Sequence, residues 1–287
     1  MQIVQVIACD NILGEGPLWV PQEKALYWVD IDGCLIQRFS SITNTYEAFQ
    51  QPCKVSMLAM RAQGGFVAAS ENGLYFWQPS DNQLTFITHP EQGKKEARFN
   101  DGKVDSGGRL WAGTMTPQGA SSALYRLDPD LTIRRMLEEV TISNGIGWSP
   151  DQRSMYHADS NRRTIFAYDY DDSSGEITNR RVFAELAQNE GVPDGLTVDS
   201  QGCLWCAIYD GWCLLRFDPD GKRMATIRMP VARPSSCIFG GEALNLLYVT
   251  SISEGLSAQQ REQQPLAGDV FVFETDCSGI PEPKFLG

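Results

Sequence analysis

The chain has 287 residues, of which 42% are hydrophobic, 26 are glycine and 15 are proline. This composition is typical of a globular protein built from many short strands and turns. The 36 acidic and 24 basic residues give a net charge of −12. The mean surface potential should therefore repel nucleic-acid phosphates and anionic lipid headgroups, and we expect neither nucleic acid nor a membrane as a partner.

The N-terminal segment MQIVQVIACDNILGEGP has no basic region and no long apolar run, so it does not look like a signal peptide. We predict a cytoplasmic protein whose eight cysteines are reduced thiols. Cys203 and Cys206 have the spacing of a zinc-binding pair. They lie on a predicted strand, however, where an odd separation directs the two sulfur atoms to opposite faces, and we expect no zinc site there.

Six segments in chain order share a polar turn followed by an apolar-aromatic strand: ALYWVDI, GFVAASE, RLWAGTM, SMYHADS, CLWCAIY and LLYVTSI. The central residues of these segments are Trp28, Val67, Trp111, Tyr156, Trp205 and Tyr248. Their spacings of 39, 44, 45, 49 and 43 residues match the period of four-stranded propeller blades. We predict an all-β protein in which residues 1–287 form a single six-bladed β-propeller domain.

The fifth unit divides into four alternating runs, PDGLTVDSQ, CLWCAIYD, CLLRFDPD and KRMATIRMPV, which predicts a four-stranded meander. The sixth unit supplies only three such runs, while IVQVIA at the N-terminus has no blade of its own. We predict that residues 3–8 complete the last blade, which closes the ring without a long unpaired edge. The one long insertion is the loop 253–268.

A position 11 to 13 residues before each central residue marks the start of each innermost strand, close to the predicted channel. Its occupants are Glu15, Ser56, Asn100, Asn144, Asp194 and Ser236. Four of these six have an oxygen-bearing side chain followed by Gly or Asp-Gly, so oxygen donors should converge on one point. Each pair taken alone also fits a turn, because Asn-Gly and Asp-Gly are turn signals.

The set as a whole favours a metal. Glu15 is a poor turn former, and its carboxylate should repel that of Asp194 unless a cation or a proton lies between them. An all-oxygen set suits one divalent cation, calcium best, with magnesium, manganese, zinc and iron(II) as further candidates. Arg98 lies two residues before Asn100, on the same strand face. It is positioned to hold a polar substrate beside the metal or, alternatively, to pair with the channel carboxylates.

The remaining chemistry is limited. The chain has two histidines, His89 before Pro90 and His157 on a second strand, and no G-x-S-x-G motif, which argues against a Ser-His-acid hydrolase. No Gly-rich phosphate loop opens a helix, because scarcely any helix is predicted. A metal ion and a carboxylate suffice for ester hydrolysis.

Several motifs resemble the gluconolactonase, regucalcin (senescence marker protein) and luciferin-regenerating enzyme family of six-bladed propellers. The most specific is RFNDGKVDSGGRLWAGTM, supported by LGEGPLW, ISNGIGWSPD, PDGLTVDSQGCLW, FGG and YVTS. The resemblance implies that Glu15, Asn144 and Asp194 bind the metal and that Asp194 is also the proton acceptor and donor. It implies that Arg98 and Asn100 contact the substrate.

Within this family the sequence looks more like bacterial sugar lactonases than like the animal members. The loop TPQGASSA after Met115 is short and lacks the Glu that animal members place near the substrate, so the substrate-side contacts of this loop depart from the family pattern. The expected activity is hydrolysis of a sugar lactone to its aldonic acid by a monomer. The alternatives are a non-catalytic calcium-binding or ligand-binding propeller, and an esterase or phosphotriesterase on the same scaffold.

Overall fold

The computed structural model describes residues 1–94, 96–117, 119 and 122–287. Within these residues, 24 strands form six antiparallel sheets of four strands each. This confirms the predicted six-bladed β-propeller. The first strand of the chain, β1 (Gln2–Ile7), belongs to the last blade, and the other strands follow in chain order.

Blade one contains β2 (Gly14–Val20), β3 (Ala25–Asp30), β4 (Leu35–Ser40) and β5 (Tyr46–Gln50). Blade two contains β6 (Val55–Met60), β7 (Phe66–Ser70), β8 (Gly73–Gln78) and β9 (Gln83–Thr88). Blade three contains β10 (Arg98–Val104), β11 (Leu110–Met115), β12 (Ser122–Leu127) and β13 (Ile133–Val140).

Blade four contains β14 (Ser143–Trp148), β15 (Ser154–Asp159), β16 (Thr164–Asp171) and β17 (Glu176–Glu185). Blade five contains β18 (Val192–Val198), β19 (Leu204–Tyr209), β20 (Cys213–Phe217) and β21 (Arg223–Arg228). Blade six contains β22 (Pro234–Gly240), β23 (Leu246–Ser251), β24 (Val270–Glu274) and β1.

The predicted closure of the ring is confirmed. Strand β1 pairs antiparallel with β24, with Ile7 opposite Val270 and Ile3 opposite Phe273. The strand covers residues 2–7, one residue earlier than the predicted 3–8. The two ends of the chain therefore share one blade, which leaves no open gap in the ring.

The first strands of the six blades, β2, β6, β10, β14, β18 and β22, form the inner ring, and each contacts the next, with β22 returning to β2. The core lies between neighbouring blades, since both faces of each blade are covered. Three of the predicted central residues, Trp28, Trp111 and Trp205, are fully buried. Burying such large aromatic side chains supplies much of the stabilisation between blades.

Two turns repeat the sequence V-D-S-x-G-x-L-W and explain how two of these tryptophans are held. Asp105 accepts hydrogen bonds from the backbone N–H of Arg109 and from Nε1 of Trp111, at 2.9 and 2.8 Å. Asp199 does the same for Cys203 and Trp205, at 2.9 Å each. The buried indole N–H groups of Trp111 and Trp205 thus have partners.

Helix is scarce, as predicted. The described residues contain a 3-10 helix, Ser160–Arg162, and one α-helix, α1 (Ala258–Gln263). Helix α1 lies in the long loop 253–268, which the sequence did not predict to contain a helix. It begins with a capping box, in which Ser257 and Gln260 exchange hydrogen bonds. Among the described helices, none has the length and apolar character needed to cross a lipid bilayer.

The C-terminal tail follows β24. It crosses the inner strands at the ends opposite to those that carry Ser56 and Arg98. Phe285 is fully buried, and its backbone N–H donates to the carbonyl of Met60 at 2.8 Å. Glu282 forms an ion pair of 2.9 Å with Lys103 of β10. The tail therefore covers one end of the channel.

Candidate metal centre

All six inner strands carry a β-bulge at the same place. The register shifts lie between Glu15 and Leu18, Val55 and Met57, Phe99 and Gly102, Ser143 and Ile146, Pro193 and Leu196, and Pro234 and Cys237. A bulge re-aims the side chains around it. The Asn144-Gly145 and Asp194-Gly195 pairs lie inside β14 and β18 at these bulges, so the turn interpretation of these pairs is wrong.

The glycine of each pair has a different role, which is to let neighbouring inner strands approach closely. A Cβ atom on Gly145 would lie 2.5 Å from the backbone nitrogen of Leu196. A Cβ atom on Gly195 would lie 2.1 Å from Oγ of Ser236. Both positions therefore exclude a side chain, and the strands that carry Asn144 and Asp194 are held side by side.

The five predicted site residues line one cavity of about 460 Å³ at the inner ring: Glu15, Arg98, Asn100, Asn144 and Asp194. The two serines at the equivalent positions lie elsewhere. Oγ of Ser56 donates to the carbonyl of Ala69 at 3.3 Å. Ser236 lines the lower part of the channel, on the side of the C-terminal tail.

The donor atoms of this cavity fit a divalent cation. Glu15, Asn144 and Asp194 are 9, 6 and 5% exposed. In the described part of the chain, Oδ1 of Asn144 and Oδ1 of Asp194 are buried without any hydrogen-bond partner. Buried oxygen atoms of this kind are costly unless a ligand satisfies them. Among the described residues, no three His, Cys, Asp or Glu side chains form a group that could hold a metal ion. The candidate set contains only two such residues, Glu15 and Asp194, because its third donor is the amide oxygen of Asn144.

A third carboxylate, that of Asp101, lines the lower part of the channel next to this cavity, and the sequence reasoning did not use it. Burial and the nearby carboxylates of Asp194 and Asp101 raise the pKa of Glu15 well above its ordinary value. Burial and Asp101 do the same to the pKa of Asp194, and burial raises the pKa of Asp101 itself to about 6. A cation bound by Glu15 and Asp194 would offset the repulsion among these carboxyl groups. The sequence signal for Asp101 was its place in the FNDG motif, directly after Asn100.

Arg98 and Asn100 form a connected pair on β10. Nη1 of Arg98 donates to Oδ1 of Asn100 at 2.7 Å and to the carbonyl of Phe99 at 2.9 Å. Burial lowers the pKa of Arg98, and the carboxylate of Glu15 partly opposes that effect. The hydrogen bonds of Arg98 go to an amide and a carbonyl, while nearby carboxylates, Glu15 foremost, act on it through charge. Both interpretations of Arg98, as a substrate contact and as a partner of the channel carboxylates, stay predictions.

Charged residues from several loops surround the mouth of the cavity, and sequence reasoning missed them because no repeat marks these positions. Lys54 pairs with Asp32 at 2.7 Å, and Arg233 pairs with Asp210 at 2.7 Å. Burial, followed by the neighbouring carboxyl of Asp32, raises the pKa of Glu254. In the loop TPQGASSA, residues 118, 120 and 121 lie outside the described residues, so its expected role on the substrate side is not addressed.

Of the residues that the structure describes, no histidine or cysteine lines the cavity that contains Glu15, Asn144 and Asp194. His157 is 1% exposed, and its Nε2 lies 2.8 Å from Oγ of Ser143. Burial lowers the pKa of His157 to about 3, which keeps the ring neutral. All eight cysteines are free thiols. Sγ of Cys203 contacts the sulfur of Met224, whereas Sγ of Cys206 contacts the carbonyl of Asp194, so the two sulfurs diverge as predicted.

Comparison with known proteins agrees with this architecture. Residues 13–253 match the family model described as SMP-30/Gluconolactonase/LRE-like region, and the chain belongs to this family. It is 38% identical to regucalcin from Danio rerio, over 98% of this chain and 97% of that protein. It is 35% identical to 6-deoxy-6-sulfogluconolactonase from Pseudomonas putida, over 98% of each chain.

Among solved structures, luciferin-regenerating enzyme superposes with a TM-score of 0.90 at 28% identity, over 98% of each chain. The identities to the animal regucalcin and to the bacterial lactonase are similar, so they do not by themselves place this chain nearer to either group.

Proposed function

We propose that the protein is a metal-dependent lactonase that hydrolyses a sugar lactone to its aldonic acid. Glu15, Asn144 and Asp194 would hold one divalent cation. The observation that carries this proposal is the pair of buried oxygen atoms, Oδ1 of Asn144 and Oδ1 of Asp194, that have no protein partner. Membership of the family and the name of the Pseudomonas relative support the class of reaction.

A divalent cation in this position supplies polarisation of a lactone carbonyl and a lower pKa for nearby water. The all-oxygen donor set suits calcium best, with magnesium, manganese, zinc and iron(II) as the other candidates. Burial, followed by repulsion from neighbouring carboxylates, raises the pKa values of Glu15 and Asp194. A nearby positive charge would offset both effects.

Asp194 is the proposed proton acceptor and donor. Its carboxylate takes a proton from the water molecule whose oxygen attacks the carbonyl carbon. The bond between the carbonyl carbon and the ring oxygen then breaks, and the Asp194 carboxyl returns the proton to that oxygen. Arg98 and Asn100 orient the sugar, since both line the same cavity as Asp194.

A pH-stat assay with gluconolactone, xylonolactone, arabinonolactone and galactonolactone tests the proposal. We expect acceleration above the spontaneous rate for at least one lactone, its loss on adding a chelator, and its return with added metal. Asp194→Asn and Asn144→Ala should abolish the acceleration, whereas Asp220→Asn, on an exposed turn, should leave it unchanged.

Other outcomes of the same assay would overturn the proposal. If no lactone is accelerated while a divalent metal still binds, the protein is a calcium-binding or ligand-binding propeller. If only a simple ester or a phosphotriester is hydrolysed, the scaffold carries a different hydrolase activity.

A further inference from the structure

Ser160 is a buried residue that connects two elements of the candidate metal centre. It begins the 3-10 helix Ser160–Arg162, is 4% exposed and lines the cavity. Its Oγ lies 3.1 Å from Nδ2 of Asn144 and 2.8 Å from the carbonyl oxygen of Pro193. Both partners belong to inner strands, Asn144 to β14 and Pro193 to β18.

The chemistry of these two hydrogen bonds decides which way the Asn144 amide points. A serine hydroxyl has one hydrogen, and a carbonyl oxygen can only accept. The Ser160 hydrogen therefore goes to Pro193, and its oxygen accepts from Asn144. The amide nitrogen of Asn144 must then face Ser160, which leaves Oδ1 facing away, as the buried oxygen atom without a protein partner.

The same hydroxyl also joins the two ligand-bearing strands. Pro193 directly precedes Asp194, so its carbonyl is part of the β18 backbone at the bulge that carries Asp194. The backbone of Ser160 is itself held, because its N–H donates to the carbonyl of Ile142 at 3.2 Å. A fixed hydroxyl between Asn144 and Pro193 therefore sets the separation of Asn144 from the backbone that carries Asp194.

We propose that Ser160 is a positioning residue for the metal centre, which orients the amide of Asn144 so that its oxygen faces the cation. This inference rests on the proposed function, in which Asn144 and Asp194 are metal ligands. Both hydrogen bonds of the Ser160 hydroxyl go to protein groups, so in this role Ser160 acts through Asn144. Partners of metal ligands with this role contribute strongly to affinity, and their removal lowers it by about 10- to 100-fold.

Calorimetric titration of the metal-free protein with calcium chloride, and separately with manganese chloride, tests the assignment. Ser160→Ala should weaken binding by about 10-fold or more. The matched control is Ser70→Ala in blade two. Ser70 is also fully buried, and its hydroxyl also donates to one carbonyl, of Gly73, and accepts one hydrogen bond, from the N–H of Asn72. This control should bind metal like the unmodified protein.

A second set of variants, made in an Asn144→Asp background, distinguishes orientation of the Asn144 amide by Ser160 from a general structural role of Ser160. In Asn144→Asp both side-chain atoms are oxygen, so the direction of the group no longer matters, and adding Ser160→Ala should then change metal affinity far less than in the native background. Equal losses in both backgrounds, or no loss in the native one, would overturn the role of Ser160 while leaving the proposed function intact. If the unmodified protein binds neither calcium, magnesium, manganese, zinc nor iron(II), the proposed metal centre itself fails, and the role of Ser160 with it.

Discussion

Nη1 of Arg98 donates a hydrogen bond of 2.7 Å to Oδ1 of Asn100. At its other end, the Asn100 amide donates through Nδ2 to the carbonyl of Ser143 at 2.9 Å. Both ends of this amide are thus occupied, whereas Oδ1 of Asn144 has no partner among the described residues. The contrast separates two asparagines of the same cavity. Asn100 holds a guanidinium in place, whereas Asn144 has an unpaired oxygen, which the proposed function assigns to a cation.

The first prediction concerns this guanidinium. Arg98→Lys should lower kcat/KM for the hydrolysed lactone by about 100-fold, because an ammonium on a flexible stem lacks the planar, rigid donor geometry of the guanidinium that Asn100 and the Phe99 carbonyl hold in place. Calcium affinity should change little. Arg181→Lys, at an exposed ion pair with Asp169, is the control. A loss of calcium affinity as large as the loss of rate would assign Arg98 to the metal rather than to the substrate.

The second prediction concerns the close contact of β14 with β18. Gly145→Ala should lower the free energy of unfolding by about 2 kcal/mol or more, because the new methyl group would meet the backbone of Leu196. Gly147→Ala on the same strand is the control, since its methyl group would lie 3.0 Å from the Cδ1 atom of Leu196, which can rotate away. Urea denaturation should separate the two variants, and equal losses would contradict the close-approach explanation.

The third prediction is a pH dependence of stability due to His157. Its pKa is about 3 in the folded protein against an ordinary value of 6.5, so between these values the unfolded chain binds a proton that the folded protein does not. Stability therefore falls as the pH drops through this window, by about 2 kcal/mol between pH 7.5 and pH 5.

His157→Gln keeps a hydrogen-bonding group near Ser143 but cannot titrate. The difference in unfolding free energy between pH 7.5 and pH 5, measured with urea, should shrink by about 2 kcal/mol in this variant. His89→Gln, which removes the other histidine from the loop after β9, is the control. An unchanged difference in His157→Gln would show that another group causes the acid sensitivity.

The fourth prediction concerns the ion pair between Lys103 and Glu282, whose side chains are 17 and 12% exposed. Lys103→Met should destabilise the protein by about 3 kcal/mol, because it leaves Glu282 unpaired in the channel. The double variant with Glu282→Gln should recover a large part of that loss. The Glu282→Gln variant is measured alone as well. If the loss of stability in the double variant equals the sum of the losses in Lys103→Met and Glu282→Gln, the ion pair does not hold the C-terminal tail in place.

The sequence predicted the fold well because hydrogen bonding within a four-stranded meander is local. Trp28, Trp111 and Trp205 recur in every second blade, and each is fully buried. The missing strand of the last unit could be found by counting, and β1 fills that place. The convergence of Glu15, Asn144 and Asp194 on one cavity also followed from their constant offset.

The repeat also set the limits of what could be predicted. A β-bulge adds one residue and breaks the alternation of side chains between strand faces. Asp101 follows Asn100 at such a bulge, and its place in the lower channel could not be counted from the strand period. The long loop 253–268 lies outside the repeat, and the only signal for α1 in it was the pair Ser257 and Gln260.

By itself the sequence determined the six blades, the closure by β1 and the position of Glu15, Asn144 and Asp194 at the channel, since these depend on a repeated local pattern. Only the tertiary structure decided the surroundings of that site. Ser160 reaches Asn144 and Pro193 from the loop after β15, and Asp32 and Glu254 meet at the cavity mouth from opposite ends of the chain. These contacts arise because closing the ring brings distant loops to one axis, and no local spacing records which of them will meet.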